Sequence, residues 1–212
     1  MQFEQHILPR LKPKMTTMKH LSKSLFATAL LAIVAMPASA FAAESFAVDP
    51  MHTQTIFTIN HLGYSTITGN FHDIKGQLLL DDKAPANSSV TVTIGTASVD
   101  TGLAARDKDL QSAGFFNVEK FPTMTFKSTE VKTTGAKSAD VMGNLTMLGV
   151  TKPVTLKVTF NRMAPDQMRN NAVVAGFTGT ATIKRSDFGM KTYLPYIGDD
   201  VHLAINFEGI KQ

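Results

Sequence analysis

From Phe57 to Phe71 the odd positions are apolar or small: Phe57, Ile59, His61, Gly63, Ser65, Ile67, Gly69 and Phe71. Thr58, Asn60, Thr66, Thr68 and Asn70 fall between them. A two-residue period belongs to a β-strand, whose successive side chains point to opposite faces. The stretch predicts one long strand, or a bent pair from Thr55, with a single dry face and with Gly63 and Gly69 as bend or close-packing points. The same period returns at Val154, Leu156, Val158 and Phe160, at Phe177, Gly179, Ala181 and Ile183, and at Val201, Leu203, Ile205 and Phe207. Many half-dry strands with almost no helix between them must bury their apolar faces against one another. A closed or sandwiched antiparallel sheet does this, and a closed one has no free edges.

Turn and breaker residues divide the rest of the chain. A short strand over residues 45–48 ends at Asp49-Pro50, and strands over 75–81 and 89–99 flank the loop Asp82 to Asn87. The one helical stretch is Gly102 to Leu110, with Thr101 or Asp100 as its cap. Phe121-Pro122 leads into a strand over 123–130, and Lys132 to Asp140 reads as a polar connection. Strands over 141–148 and 153–161 form a hairpin through Gly149 to Lys152. A loop follows over 162–171, then a strand over 173–184, a turn over 185–189, a loop to Asp200 and a last strand to Gly209. No linker or internal repeat interrupts residues 43–212, which read as one domain.

Residues 18–42 have the order of a secretory signal: Lys19 and Lys23, a charge-free apolar run from Leu25 to Met36, and the small-x-small site Ala40-Phe41-Ala42. Cleavage is expected after Ala42, which places the mature protein in the periplasm. The run is too short for a membrane-spanning helix. Residues 1–17 make a poor signal start, so Met15 and Met18 stand beside Met1 as candidate starts. The chain has 21 basic and 17 acidic residues, and residues 1–42 hold five of the former and one of the latter. The mature part is left with 16 of each, which gives no basic footprint for nucleic acid. The absence of cysteine removes disulfides, thiolate metal sites and cysteine nucleophiles.

Chemistry-bearing motifs are few. His52, His61, His72 and His202 lack metal-ligand spacing, and nearby acids complete no recognisable set, so no metal is expected. Serine, histidine and aspartate occur without a Gly-x-Ser-x-Gly elbow or another ordered triad, so no catalytic residues are assigned. Arg106, Asp107, Lys108 and Asp109 read as a solvated helix face, with Arg106 able to tie the helix to the sheet. Asp187, between Arg185-Ser186 and Phe188-Gly189, suits a turn that seats Phe188.

Local motifs in this order resemble the YceI-like family of exported bacterial polyisoprenoid-binding proteins, over about Phe46 to Gly209. They are His61-Leu62-Gly63-Tyr64-Ser65 with Gly69 and Phe71, then Ser98-Val99-Asp100-Thr101 leading into Arg106-Asp107-x-Asp109-Leu110. Phe116-Asn117, Phe121-Pro122, the Gly143 to Val154 hairpin and Arg185 to Gly189 complete the set. The resemblance implies an all-β fold: an extended eight-stranded antiparallel lipocalin-like β-barrel with one or two short helices. It also implies an apolar tunnel for a long prenyl or acyl chain, and it allows a homodimer. Small residues on the inner rows (Gly63, Ser65, Gly69, Gly143, Gly179, Ala181) leave room for a ligand, and methionine suits an adaptable lining. Phe57, Ile59, His61, Phe71, Phe126, Leu145, Phe177 and Phe188 are the expected lining. The function expected is a binding or carrier protein for an isoprenoid or similar amphiphilic lipid, with no cofactor beyond that lipid. A quinone carrier or sensor is the nearest alternative. An enzyme acting on a lipid or stress metabolite is the more distant one.

Overall fold

The computed structural model describes residues 43–212, and the expected secretory segment lies outside them. Eleven strands and one α-helix follow in order: β1 (Glu44–Val48), β2 (Gln54–His61), β3 (Ser65–Phe71), β4 (Ile74–Leu80), β5 (Ser89–Gly95), β6 (Val99–Asp100), α1 (Ala104–Gln111), β7 (Thr123–Gly135), β8 (Ser138–Met147), β9 (Val150–Asp166), β10 (Ala172–Lys184) and β11 (Ile197–Lys211). Neighbouring strands pair antiparallel around a closed ring of eight, β1-β4-β5-β7-β8-β9-β10-β11, which β11 seals by pairing with β1. The expected eight-stranded barrel is the observed one.

Two of the eight wall positions are broken strands. β11 pairs with β1 through Gly209–Lys211 and with β2 through Ile197–Asn206, so β1 and β2 lie end to end along one edge. β4 covers β1 and β3 covers β2 in the same way. At the first break the Thr53 hydroxyl stands in for a ladder rung: Oγ1 accepts from the Glu208 N–H (3.1 Å) and donates to the Glu208 carbonyl (3.2 Å). The dipeptide β6 pairs with the outer end of β3, and the segment 96–122 that joins β5 to β7 carries α1.

The alternation from Phe57 to Phe71 is a hairpin, which corrects the expectation of one long strand. Its turn has three residues, an odd number, so Phe57, Ile59 and His61 lie opposite Gly69, Ile67 and Ser65 on the same face. The period therefore passes through the turn unchanged. At the β8–β9 hairpin Leu148 and Gly149 have φ of 54° and 74°, the two-residue left-handed turn that matches strand twist.

The polar stretches over 132–140 and 162–171 are mostly strand. β7 continues to Gly135 and β9 to Asp166. The register shifts between Ser128 and Glu130, and Phe160 pairs with Phe177 while Arg162 pairs with Gly176. Each bulge inserts one residue, Thr129 or Asn161, and moves the inward face from even to odd positions. An alternation read with fixed parity ends there, although the ladder does not. The strand expected over 89–99 is likewise shorter, since a 3-10 turn over Thr96–Ser98 breaks it.

α1 starts at Ala104, and neither Asp100 nor Thr101 caps it. The contact runs the other way: Asp107 Oδ1 accepts from the Thr101 N–H and hydroxyl. Arg106 donates through Nε to Thr101 Oγ1 (2.8 Å) and through Nη2 to the Thr101 carbonyl (2.9 Å). Arg106 thus ties the helix to Thr101, the residue that follows β6.

Candidate functional site

Inward rows of the barrel do not meet across its axis. Two apolar clusters fill part of the interior. One holds Phe57, Phe71, Ile74, Phe115, Phe116, Met124 and Phe126, and the other Phe46, Leu78 and Ala175. The Phe71 and Phe116 rings pack edge to face with centroids 5.3 Å apart. Between and beside the clusters runs a cavity of about 600 Å³, within the range of small-molecule sites.

β11 contributes Val201, Leu203, Ile205 and Phe207 to its wall, and β9 contributes Val154, Leu156, Val158 and Phe160. Beyond the bulge the odd position Met163 takes over, as the shifted parity requires. Val131 and Thr133 do the same on β7 beyond Thr129. At one end, formed by the 62–64 turn, the 96–122 segment and the β10–β11 connection, His61, Arg106, Asp109 and Tyr193 border the cavity. At the other, Asp82, Ser88, Lys137 and Ser138 do so. The middle is mostly apolar, with Thr53, Thr55 and Thr178 among its lining, and both ends carry charged groups, an arrangement that suits a long apolar tail.

A sequence model of the YceI-like domain matches residues 46–209. The chain belongs to the YceI-like family. A UPF0312 protein of Pseudomonas aeruginosa is 45% identical over 194 residues, 91% of this chain and 100% of the relative. One from Pectobacterium atrosepticum is 44% identical over 193 residues, 91% of this chain and 99% of the relative. Among solved structures, the YceI protein of Campylobacter jejuni is 31% identical with a TM-score of 0.63, over 72% of this chain and 90% of its own. Burkholderia cenocepacia BcnA (24% identity, TM-score 0.69, 76% of this chain and 98% of its own) shares the fold. So does a polyisoprenoid-binding domain from Saccharophagus degradans (14% identity, TM-score 0.62, 80% and 99%).

In this YceI-like barrel Phe57, Ile59, His61, Phe71, Phe126, Leu145 and Phe177 line the cavity. Phe188 does not. It is buried in the larger apolar cluster, on the 3-10 turn Arg185–Phe188 that leaves β10. Its apolar character marked it as interior, and position beyond the strand end removed it from the wall. Met124, Met147, Met163 and Met190 also line the cavity and went unnamed in the sequence reading. Tyr193 borders it as well, and Arg106 and Asp109, expected on a solvated helix face, do too; all three positions depend on how the 96–122 and 185–196 connections fold over the barrel end.

The room expected from small inner residues is unevenly real. A Cβ at Gly69 would overlap the Phe57 ring, and one at Gly143 would overlap the Phe126 ring, so aromatic rings already occupy those gaps. Gly63 sits in the hairpin turn with φ of 76°, off the inner rows. Gly179 is different: a Cβ there would meet Ile205 and Val158 at 3.7 Å, ordinary contact, and the residue fronts the cavity.

Sequence spacing shows no metal set, yet the fold gathers Asp49, His52 and Glu208 with ligand atoms within 4.8 Å of one another. The Arg169 guanidinium lies among them. Its Nη2 is 2.7 Å from Asp49 Oδ2 and from His52 Nδ1, and 3.4 Å from Glu208 Oε2. The positive charge of the cluster is supplied by that arginine.

Proposed function

We propose that this protein is a periplasmic carrier that shields the tail of an isoprenoid, or a similar long-chain amphiphile, from water. The observation that carries this reading is the mostly apolar cavity along the barrel axis, with charged groups at its ends. Membership of the YceI-like family supports it, and the name of the Saccharophagus degradans domain points to the same ligand class. Each buried methylene contributes about 0.8 kcal/mol, so a five-carbon prenyl unit contributes up to about 4 kcal/mol before ordering costs offset part of it. Tail length therefore governs affinity and the polar ends select the head. The reading involves binding and release without a chemical step. The signal segment delivers the chain, with Ala43 as the mature N-terminus.

Native mass spectrometry of protein purified from its own cell envelope tests this directly. The expected spectrum shows a polypeptide beginning at Ala43 and carrying a prenyl or acyl lipid, whose mass separates a prenyl phosphate from a quinone. A polypeptide that retains the apolar segment overturns export by cleavage. Protein that gains no mass in a prenyl series of increasing length overturns the carrier reading.

A further inference from the structure

We propose that the barrel end carrying Leu62, Tyr64, Tyr193 and Tyr196 is a membrane-docking surface through which the cavity exchanges its lipid with a bilayer. The inference rests on the carrier reading above and adds the partner that loads the carrier.

Single exposed apolar side chains are ordinary on any protein surface. Here four large ones stand on two adjoining connections: Leu62 (46% exposed), Tyr64 (89%), Tyr193 (58%) and Tyr196 (68%). The connections are joined by a hydrogen bond from the Leu62 N–H to the Tyr196 carbonyl (3.1 Å). Tyr193 belongs to both surfaces. Its ring is exposed, borders the cavity, and packs 6.0 Å from the ring of Phe115 inside. Tyr193 thus links the cavity wall to the outer surface, at an end that His61, Arg106 and Asp109 also border.

These side chains are held outward at a cost. Leu62 and Tyr193 have φ of 57° and 62°, a left-handed conformation that non-glycine residues adopt only when their surroundings impose it. The imposing group for the second connection is Arg185, only 2% exposed. It donates to the carbonyls of Met190, Thr192, Ile197 and Gly198 at 2.8–3.2 Å. The patch is a fixed platform.

Its chemistry selects the occupant. Tyrosine has an apolar ring and a polar tip, the combination enriched at the boundary between headgroups and acyl chains. A protein partner would cover the patch but would give a water-insoluble cargo no apolar route out of the cavity. A bilayer interface covers the patch and is also the reservoir of such cargo. On the two connections the cations are Lys191 and the buried Arg185, with Asp187 in the same stretch, so attachment is through ring burial and depends little on salt.

The test uses the mature protein and the Tyr64→Ser/Tyr196→Ser variant, whose altered residues do not line the cavity. Each is floated with vesicles of phosphatidylethanolamine and phosphatidylglycerol containing no prenyl lipid, and each is titrated with a short, water-soluble prenyl alcohol. The wild type is expected to float, and the variant to lose about tenfold in vesicle partition while binding the prenyl alcohol unchanged. Equal flotation of the two overturns the docking surface. So does a wild type that binds the prenyl alcohol but stays with the unbound fraction. A variant that changes from dimer to monomer in sedimentation, with flotation unaltered, overturns it in favour of a self-association face. A wild type that floats but takes up no prenyl chain supports the docking surface and removes the carrier reading alone.

Discussion

At Gly179 the barrel wall lacks a side chain, and ordinary van der Waals distance separates a built Cβ from Ile205 and Val158. Gly179→Leu therefore grows into the cavity. It is expected to weaken binding of a prenyl ligand while costing stability no more than about 1–3 kcal/mol, because open space absorbs volume that a packed core cannot. Ligand titration beside urea unfolding checks both halves, and a collapse of folding would mean that the space is filled. Gly143 shows why such a site is hard to read from sequence. It has the same small side chain on the same kind of row, yet a Cβ there would lie 2.6 Å from the Lys127 carbonyl and within the Phe126 ring. Alternation identifies which face a residue takes. Whether the space before it is empty depends on rotamers of residues on neighbouring strands, and one chain's pattern does not contain them. The same limit explains Phe188: its burial was legible, its place off the cavity wall was not.

The β10–β11 connection depends on one side chain at the scale of an element. Arg185 donates to four carbonyls, two within the connection (Met190, Thr192) and two at the start of β11 (Ile197, Gly198). Ser186 adds two bonds to Asp199, from its N–H at 2.9 Å and its hydroxyl at 2.7 Å. Arg185→Met keeps bulk but removes all four of those bonds from a nearly buried position, and is expected to destabilise the protein by about 3 kcal/mol or more. Chemical denaturation gives the magnitude, and hydrogen exchange is expected to lose protection first over residues 190–198. A methionine variant as stable as the parent would mean that water replaces the guanidinium. Elements themselves were legible where parity was constant, as in β11, and misjudged where a bulge changed it. Thr129 and Asn161 are each a single residue, and the sequence beyond them resembled a loop because the inward positions change parity there, to Val131 and Met163, among mostly polar neighbours. The β2–β3 hairpin misled for the opposite reason, since its three-residue turn preserved the period.

Charge acts on the molecule as a whole through four aspartates whose carboxyls are held below the usual 3.8. For Asp81 the cause is the Ala84 N–H, then Asn87. For Asp100 it is the Gly102 N–H, then His72. Burial pushes Asp49 and Asp199 upward, but bonds from His52 and Met51 in one case and from Ser186 in the other outweigh it. A folded value below the unfolded one means that the unfolded chain takes up protons first. Stability from these groups is complete above 3.8 and is lost as pH falls from there through the lower folded values. Lys184 is raised by its bond to Asp200, so its contribution is complete below 10.5 and lost as pH rises through its folded value. Urea midpoints measured against pH are expected to show a plateau between these limits, and Asp199→Asn to flatten the acid limb. The seam of the barrel carries one more consequence. It joins β1 to β11, with Lys211 on Glu44 at 2.6 Å across 167 residues. Synthesis delivers the first half of that seam early and the second half last. Until the 15-residue β11 emerges, β10 on one side and β1 with β2 on the other are the bare margins of a curled, unfinished sheet, able to pair with any other extended chain. The nascent barrel is thus most prone to aggregate just before β11 is made, while its seam is still open.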